Sequence, residues 1–163
     1  MNKESVMNEN TDSYHYTDSG LDNVILRNGF NWVETPFGDA VSIENMRGLH
    51  ECIAHCLVNK PDALSGKEFR YLRSELDLSQ ETIGLIVGRG ERRVRGWETE
   101  DKSVPEPANT MIRFIYRERT NPSTTYEQFS LAVAELQKAD KALFEIRLQA
   151  TDLGWETDDC KVA

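Results

Sequence analysis

The sequence predicts an α+β fold, mostly α, with a small N-terminal antiparallel β-meander ahead of a helical core and a C-terminal helix plus strand-like tail behind it. Three observations lead there. Short β-branched and aromatic runs separated by turn residues fill positions 23–43. From 44 to 119, apolar residues recur at helical spacing in segments marked off by capping residues, glycines and prolines. Near the end, Ile146, Leu148 and Ala150 alternate with polar residues, as on a half-buried strand.

Composition bounds the problem. A chain of 163 residues with 39% hydrophobic and 29% charged residues is long enough to bury a core. No stretch approaches the roughly 18 consecutive apolar residues that cross a bilayer, and the start, MNKESVMNENTDS, lacks the apolar segment of a secretion signal. The expected location is the cytoplasm, with no membrane partner. Cys52, Cys56 and Cys160 form no C-x-x-C pair, so reduced thiols are expected, with neither a disulfide framework nor a four-cysteine zinc site. The net charge of −9 is uneven: residues 60–119 hold 12 Lys or Arg against 11 Asp or Glu, so the acid lies in the flanks. Arg89, Arg92, Arg93 and Arg95 put four arginines in seven residues.

Along the chain, residues 1–13 are polar and aperiodic and read as a tail. Residues 14–43 form the expected meander. Its strands are Asn23–Arg27, Phe30–Glu34 and Asp39–Ile43, with Asn28-Gly29 as a hairpin turn and Thr35-Pro36-Phe37-Gly38 as the next. Residues 44–63 supply a linking amphipathic helix on Met46, Leu49, Ile53, Cys56 and Leu57, stopped by Lys60-Pro61. Ser65-x-x-Glu68 is a capping box, so 66–76 reads as a helix bearing Phe69, Leu72 and Leu76. Ser79 caps a short helix running to about Val87, and Gly88 and Gly90 punctuate it. A fourth helix carries Val94 and Trp97; a fifth, after Pro105 and Pro107, aligns Ala108, Met111, Ile112 and Ile115. Over 120–163, a second box, Thr124-x-x-Glu127, opens a helix with Tyr126, Phe129, Val133 and Leu136, followed by the strand-like tail, whose segment Glu145–Ala150 is expected to rejoin the N-terminal meander.

The informative stretch runs from Gln80 to Trp97. Ile83 faces inward, and Gly84 marks the closest approach of two helices, where a side chain larger than a methyl would push them apart. Gly88 meets the positive φ of a tight turn. Val94 and Trp97, three apart, close an apolar wedge against Ile83. These are the mechanics of a helix-turn-helix. The sequence Leu78-Ser79-Gln80, Ile83, Gly84, Gly88, Val94 and Trp97-Glu98 resembles the fingerprint of Xre/Cro-type, λ-repressor-like regulators over residues 64–119. More narrowly, it is similar to the DNA-binding half of MqsA-type antitoxins. The two-Cys-pair zinc module of those antitoxins has no counterpart here, and Thr99-Glu100 stands where members often have Gly.

The resemblance implies a five-helix core whose recognition helix, residues 90–98, enters the major groove of duplex DNA. That helix presents Glu91, Arg92, Arg93 and Arg95. Arg92 matches the position that commonly reads a base, where arginine makes a bidentate contact to guanine O6 and N7. Gly96 matches another reading position and has no side chain, so Arg95 or Arg93 replaces that contact or grips phosphate. Glu91 accepts from cytosine N4 or tunes the arginines. Ser79 and Gln80 match the family's phosphate clamp. Cys52, His55 and Cys56 share one helix, but a structural zinc wants four ligands, so core or surface thiols are expected and no metal. No Gly-rich phosphate loop, H-E-x-x-H or G-x-S-x-G occurs, and neither an enzyme nor a cofactor is expected.

The leading expectation is therefore a dimeric, sequence-specific repressor of a palindrome, and of its own promoter. A second is an antitoxin whose acidic flanks engage a toxin protein while its DNA binding autoregulates the operon. A third is an adaptor that kept the fold and lost DNA binding. The N-terminal strands discriminate: an edge or apolar patch left uncovered favours a protein partner, and full coverage by the 44–59 helix favours a stand-alone regulator.

Overall fold

The computed structural model describes residues 13–99, 103–122, 125–128, 131 and 144–158. The fold is α+β with two small sheets. In chain order come β1 (Tyr14–His15), β2 (Val24–Leu26), β3 (Phe30–Thr35), β4 (Gly38–Ile43), α1 (Met46–Val58), α2 (Gly66–Glu75), α3 (Gln80–Ile86), α4 (Glu91–Thr99), α5 (Glu106–Thr120), β5 (Ile146–Thr151) and β6 (Gly154–Thr157). No helix among the described residues is long and apolar enough to cross a membrane.

The expected three-stranded meander does not form. Asn28-Gly29 does not fold β3 back onto β2; β2 lies between β1, antiparallel, and β5, parallel, in a sheet ordered β1-β2-β5-β6. The cause is burial. Val24 and Leu26 are fully buried beside Ile146 and Leu148 of β5, whereas β3 presents mostly exposed residues. Asn28 serves the new neighbour: its Oδ1 accepts from Ala150 N at 2.6 Å and its Nδ2 donates to Ala150 O at 3.3 Å. Gly29, at φ +74°, leaves room for the Trp155 ring, which a Cβ would meet at 2.6 Å. The tail holds two strands, not one, since β5 turns at Asp152-Leu153 into β6. Among the described residues β3 and β4 pair only with each other, Phe30 opposite Ile43 through Thr35 opposite Gly38.

The expected linking helix is the middle of the molecule. α1 packs against β6 on one side and against α2 and α5 on the other, burying Leu49, Ile53, Ala54, Leu57 and Val58. Met46, expected on that face, is 42% exposed, and Cys56 is half-buried. Asn45, at φ +44°, caps the helix by accepting from Gly48 N. The Ser65–Glu68 capping box is present, and Glu68 also pairs with Lys60 at 2.8 Å.

On α5 the buried stripe is Ala108, Asn109, Ile112, Arg113 and Tyr116, with Met111 and Ile115 only half-buried. Two polar residues take the core-facing turns because the chain between α1 and α2 passes there with unpaired backbone groups. Arg113 donates to the carbonyls of Lys60 and Asp62, and Asn109 Oδ1 accepts from Leu64 N at 3.0 Å and from Arg113 Nε at 3.1 Å. Beyond α5, Gln128 N donates to Thr125 Oγ1 at 3.3 Å and Thr125 N to Gln128 Oε1 at 3.4 Å, a reciprocal cap, while the expected Thr124–Glu127 box rests on a residue outside the described ones. Thr124, Phe129, Val133, Leu136 and Cys160 lie outside the described residues.

Candidate nucleic-acid interface

α3 and α4 meet through a tight turn whose sequence explains its shape. Ser79 Oγ accepts from Thr82 N at 3.0 Å and satisfies a free amide at the start of α3. At the other end Gly88 adopts φ +67°, which only glycine does without strain. The chain then reverses, and Arg89 N donates to Gly84 O at 2.7 Å. A Cβ on Gly84 would stand 2.7 Å from Arg89 O, so this glycine is required by the backbone of the turn. Even a methyl group is too large there.

Ile83, Val94 and Trp97 all belong to the core, with exposures of 0%, 0% and 4%. Trp97 packs edge-on against Phe69 of α2, their ring centres 5.7 Å apart. α2 comes so close beneath it that a Cβ on Gly66 would lie 1.8 Å from Trp97 O. Gly66 was not singled out by sequence, since its partner is a backbone atom of another helix.

Sequence reasoning also missed a buried charged network. Glu98 is 7% exposed and takes Arg73 of α2 in a two-point pair, Nε–Oε1 at 2.6 Å and an Nη–Oε2 contact at 3.0 Å. Gln80 Nε2 donates to the same carboxylate at 2.7 Å, and Arg73 donates on to Leu78 O at 2.8 Å. One carboxylate therefore ties α2, α3 and α4 together. Of the two residues matching a phosphate clamp, Gln80 spends an amide hydrogen on this network and Ser79 spends its hydroxyl oxygen on the cap.

What this frame holds outward is the polar face of α4. Glu91, Arg92, Arg93 and Arg95 are all exposed. Arg95 pairs with Glu91 at 2.6 Å and lies 3.5 Å from Gln80 Oε1. Among the described residues, Arg92 and Arg93 have no carboxylate partner. Arg89, not among the sequence-derived candidates, joins Arg93, Trp97 and Pro105 around a shallow cleft. Around Gly96 there is open space. A surface carrying Arg89, Arg92 and Arg93 without acidic partners among the described residues, on a rigid frame, can bind an extended polyanion.

Elsewhere, Cys52 and Cys56 are half-buried thiols one helix turn apart, and a hydrogen bond from Cys56 draws the Cys52 thiol below its usual range. Burial, then the nearby Arg117, lowers the His55 pKa. Among the described residues, no group of three or more His, Cys, Asp or Glu side chains is placed to hold a metal ion. Comparison of the chain with known protein families, curated proteins and solved structures found no match.

Proposed function

We propose that this protein is a sequence-specific, double-stranded DNA-binding transcriptional regulator, with α1–α5 as a λ-repressor-like helix-turn-helix unit and α4 as the recognition helix. The observation that carries this reading is the pair Arg92–Arg93: two exposed guanidinium groups without acidic partners among the described residues, on a helix whose opposite face is locked by Val94, Trp97 and Glu98. Arg92 reads a base and Arg93 grips phosphate, with Arg89 beside it. Arg95 and Glu91 hold each other and shape the surface between. Two copies bind a palindrome, one α4 in each of two successive major grooves.

Arg92→Ala is expected to weaken binding to a selected site by about 1–3 kcal/mol and to relax specificity at one base pair. Gel shifts on the site and its single-base variants measure both; unchanged affinity with unchanged preference would remove Arg92 from the interface. Arg93→Ala is expected to weaken binding to all sequences alike and to lower the slope of log affinity against log salt by about one. Titrations at several salt concentrations test this. A loss confined to one sequence would make Arg93 a base reader.

A second reading adds a protein partner, as in an antitoxin that autoregulates its operon. It is favoured by the ribbon β3–β4, which α1 does not cover: Trp32 is 57%, Val33 44% and Phe37 100% exposed.

A further inference from the structure

The ribbon combines four features. Its tip is well held: Thr35 Oγ1 accepts from Phe37 N at 3.2 Å and donates to Gly38 O at 2.6 Å, so the exposure of Phe37 follows from a closed turn. Its register is continuous over six residue pairs, and among the described residues each strand keeps one edge unpaired in the sheet. No lysine, proline or bulge within the strands guards those edges, the devices by which proteins usually block further pairing. Its charge is of one sign. From 28 to 45 the chain carries Glu34, Asp39 and Glu44 and no Lys or Arg. Glu34 stands directly opposite Asp39, and among the described residues neither has an ion-pair partner.

Each feature limits the occupant. An acidic ribbon repels phosphate, which excludes duplex DNA and anionic lipid as its ligand. A two-stranded ribbon is marginal alone and gains from a third strand. Like charges facing each other across a ribbon are unfavourable and are relieved by a cation from outside. We propose that β3–β4 is a docking arm that accepts, as a third strand, an extended segment of another protein in which apolar residues alternate with Lys or Arg. Main-chain hydrogen bonds at the open edge supply affinity. Trp32 and Val41, cross-strand neighbours, and Phe37 at the tip take the partner's apolar side chains, and the Glu34–Asp39 pair takes its cations. The proposal deepens the second reading by stating the chemistry of the partner, and it needs neither a toxin nor DNA.

The test is selection from a random dodecapeptide library displayed on phage, with the full chain as bait, followed by binding measurements on the selected peptides. Peptides alternating apolar residues with Lys or Arg are expected. Their affinity should fall at least tenfold for Phe37→Ser and for the Glu34→Lys/Asp39→Lys double variant. Phe37 is fully exposed, so Phe37→Ser should leave the thermal midpoint unmoved, and DNA binding by gel shift should survive in both variants. Selection of no peptide, of peptides without cations, or of peptides that bind the variants equally well would overturn the proposal. So would sedimentation showing a wild-type dimer that Phe37→Ser converts to monomer, because the ribbon would then be occupied by a second copy. Loss of DNA binding in the Arg92 variant alone leaves the proposal intact, so the two readings fail separately.

Discussion

Glu98→Ala is expected to destabilise the protein by about 3–5 kcal/mol, the cost of breaking a buried ion pair from one side. The side chains of Glu98 and Arg73 are 1% and 14% exposed, so removing the carboxylate strands a guanidinium that water reaches poorly. It also deprives Gln80 Nε2 of its acceptor. Because the same carboxylate joins three helices, loss of stability should come with loss of DNA binding. Denaturant titration gives the energy and gel shift the second effect. A shift in stability below about 0.5 kcal/mol, the range of ordinary surface substitutions, would show that the network contributes nothing net.

Trp97→Ala is expected to cost a similar amount, about 3–5 kcal/mol, by a different route. The indole is 4% exposed, rests edge-on against Phe69, and lies where α2 approaches most closely at Gly66. Collapse cannot fill the space, since the backbones of α2 and α4 already touch there, so the cavity remains. Thermal melts decide it. An unmoved midpoint would place the side chain in solvent and undo the assignment of the wedge. Trp97→Phe keeps an aromatic edge for Phe69 and should lose less than the alanine variant.

The two experiments separate packing from electrostatics within one pair of adjacent residues. Glu98 acts through charge taken out of water, Trp97 through apolar contact. Among the described residues Glu98 pairs with Arg73 and with none of the exposed arginines, so an effect of Glu98→Ala on the proposed DNA binding is an effect on the placement of α4. Trp97 lines a cleft with Arg89 and Arg93 and can act on them directly as well. Arg92→Ala should do the reverse and leave stability nearly unchanged.

Much of the helical region was legible in the sequence because its signals are local. Ser65–Glu68 and Ser79 are caps, and their partners lie three residues away. Gly88 is fixed by its own φ, and Ile83, Val94 and Trp97 follow from helical periodicity. Long-range partners leave a fainter trace. The alternation at Ile146, Leu148 and Ala150 marks a strand expected to rejoin the N-terminal strands, and β5 does pair with β2, but nothing local tells that it displaces the hairpin that Asn28-Gly29 favours. Charged residues at core-facing turns were equally hidden. Arg113 and Glu98 look like solvent-facing positions until the carbonyls of Lys60 and Asp62 and the guanidinium of Arg73 are brought to them. By itself the sequence determined where the helices start and stop and which residues form the apolar wedge. Tertiary structure decided which strands pair, which charges are buried, and that Trp32, Val33 and Phe37 of the β3–β4 ribbon stay exposed among the described residues, since each depends on groups that only folding brings together.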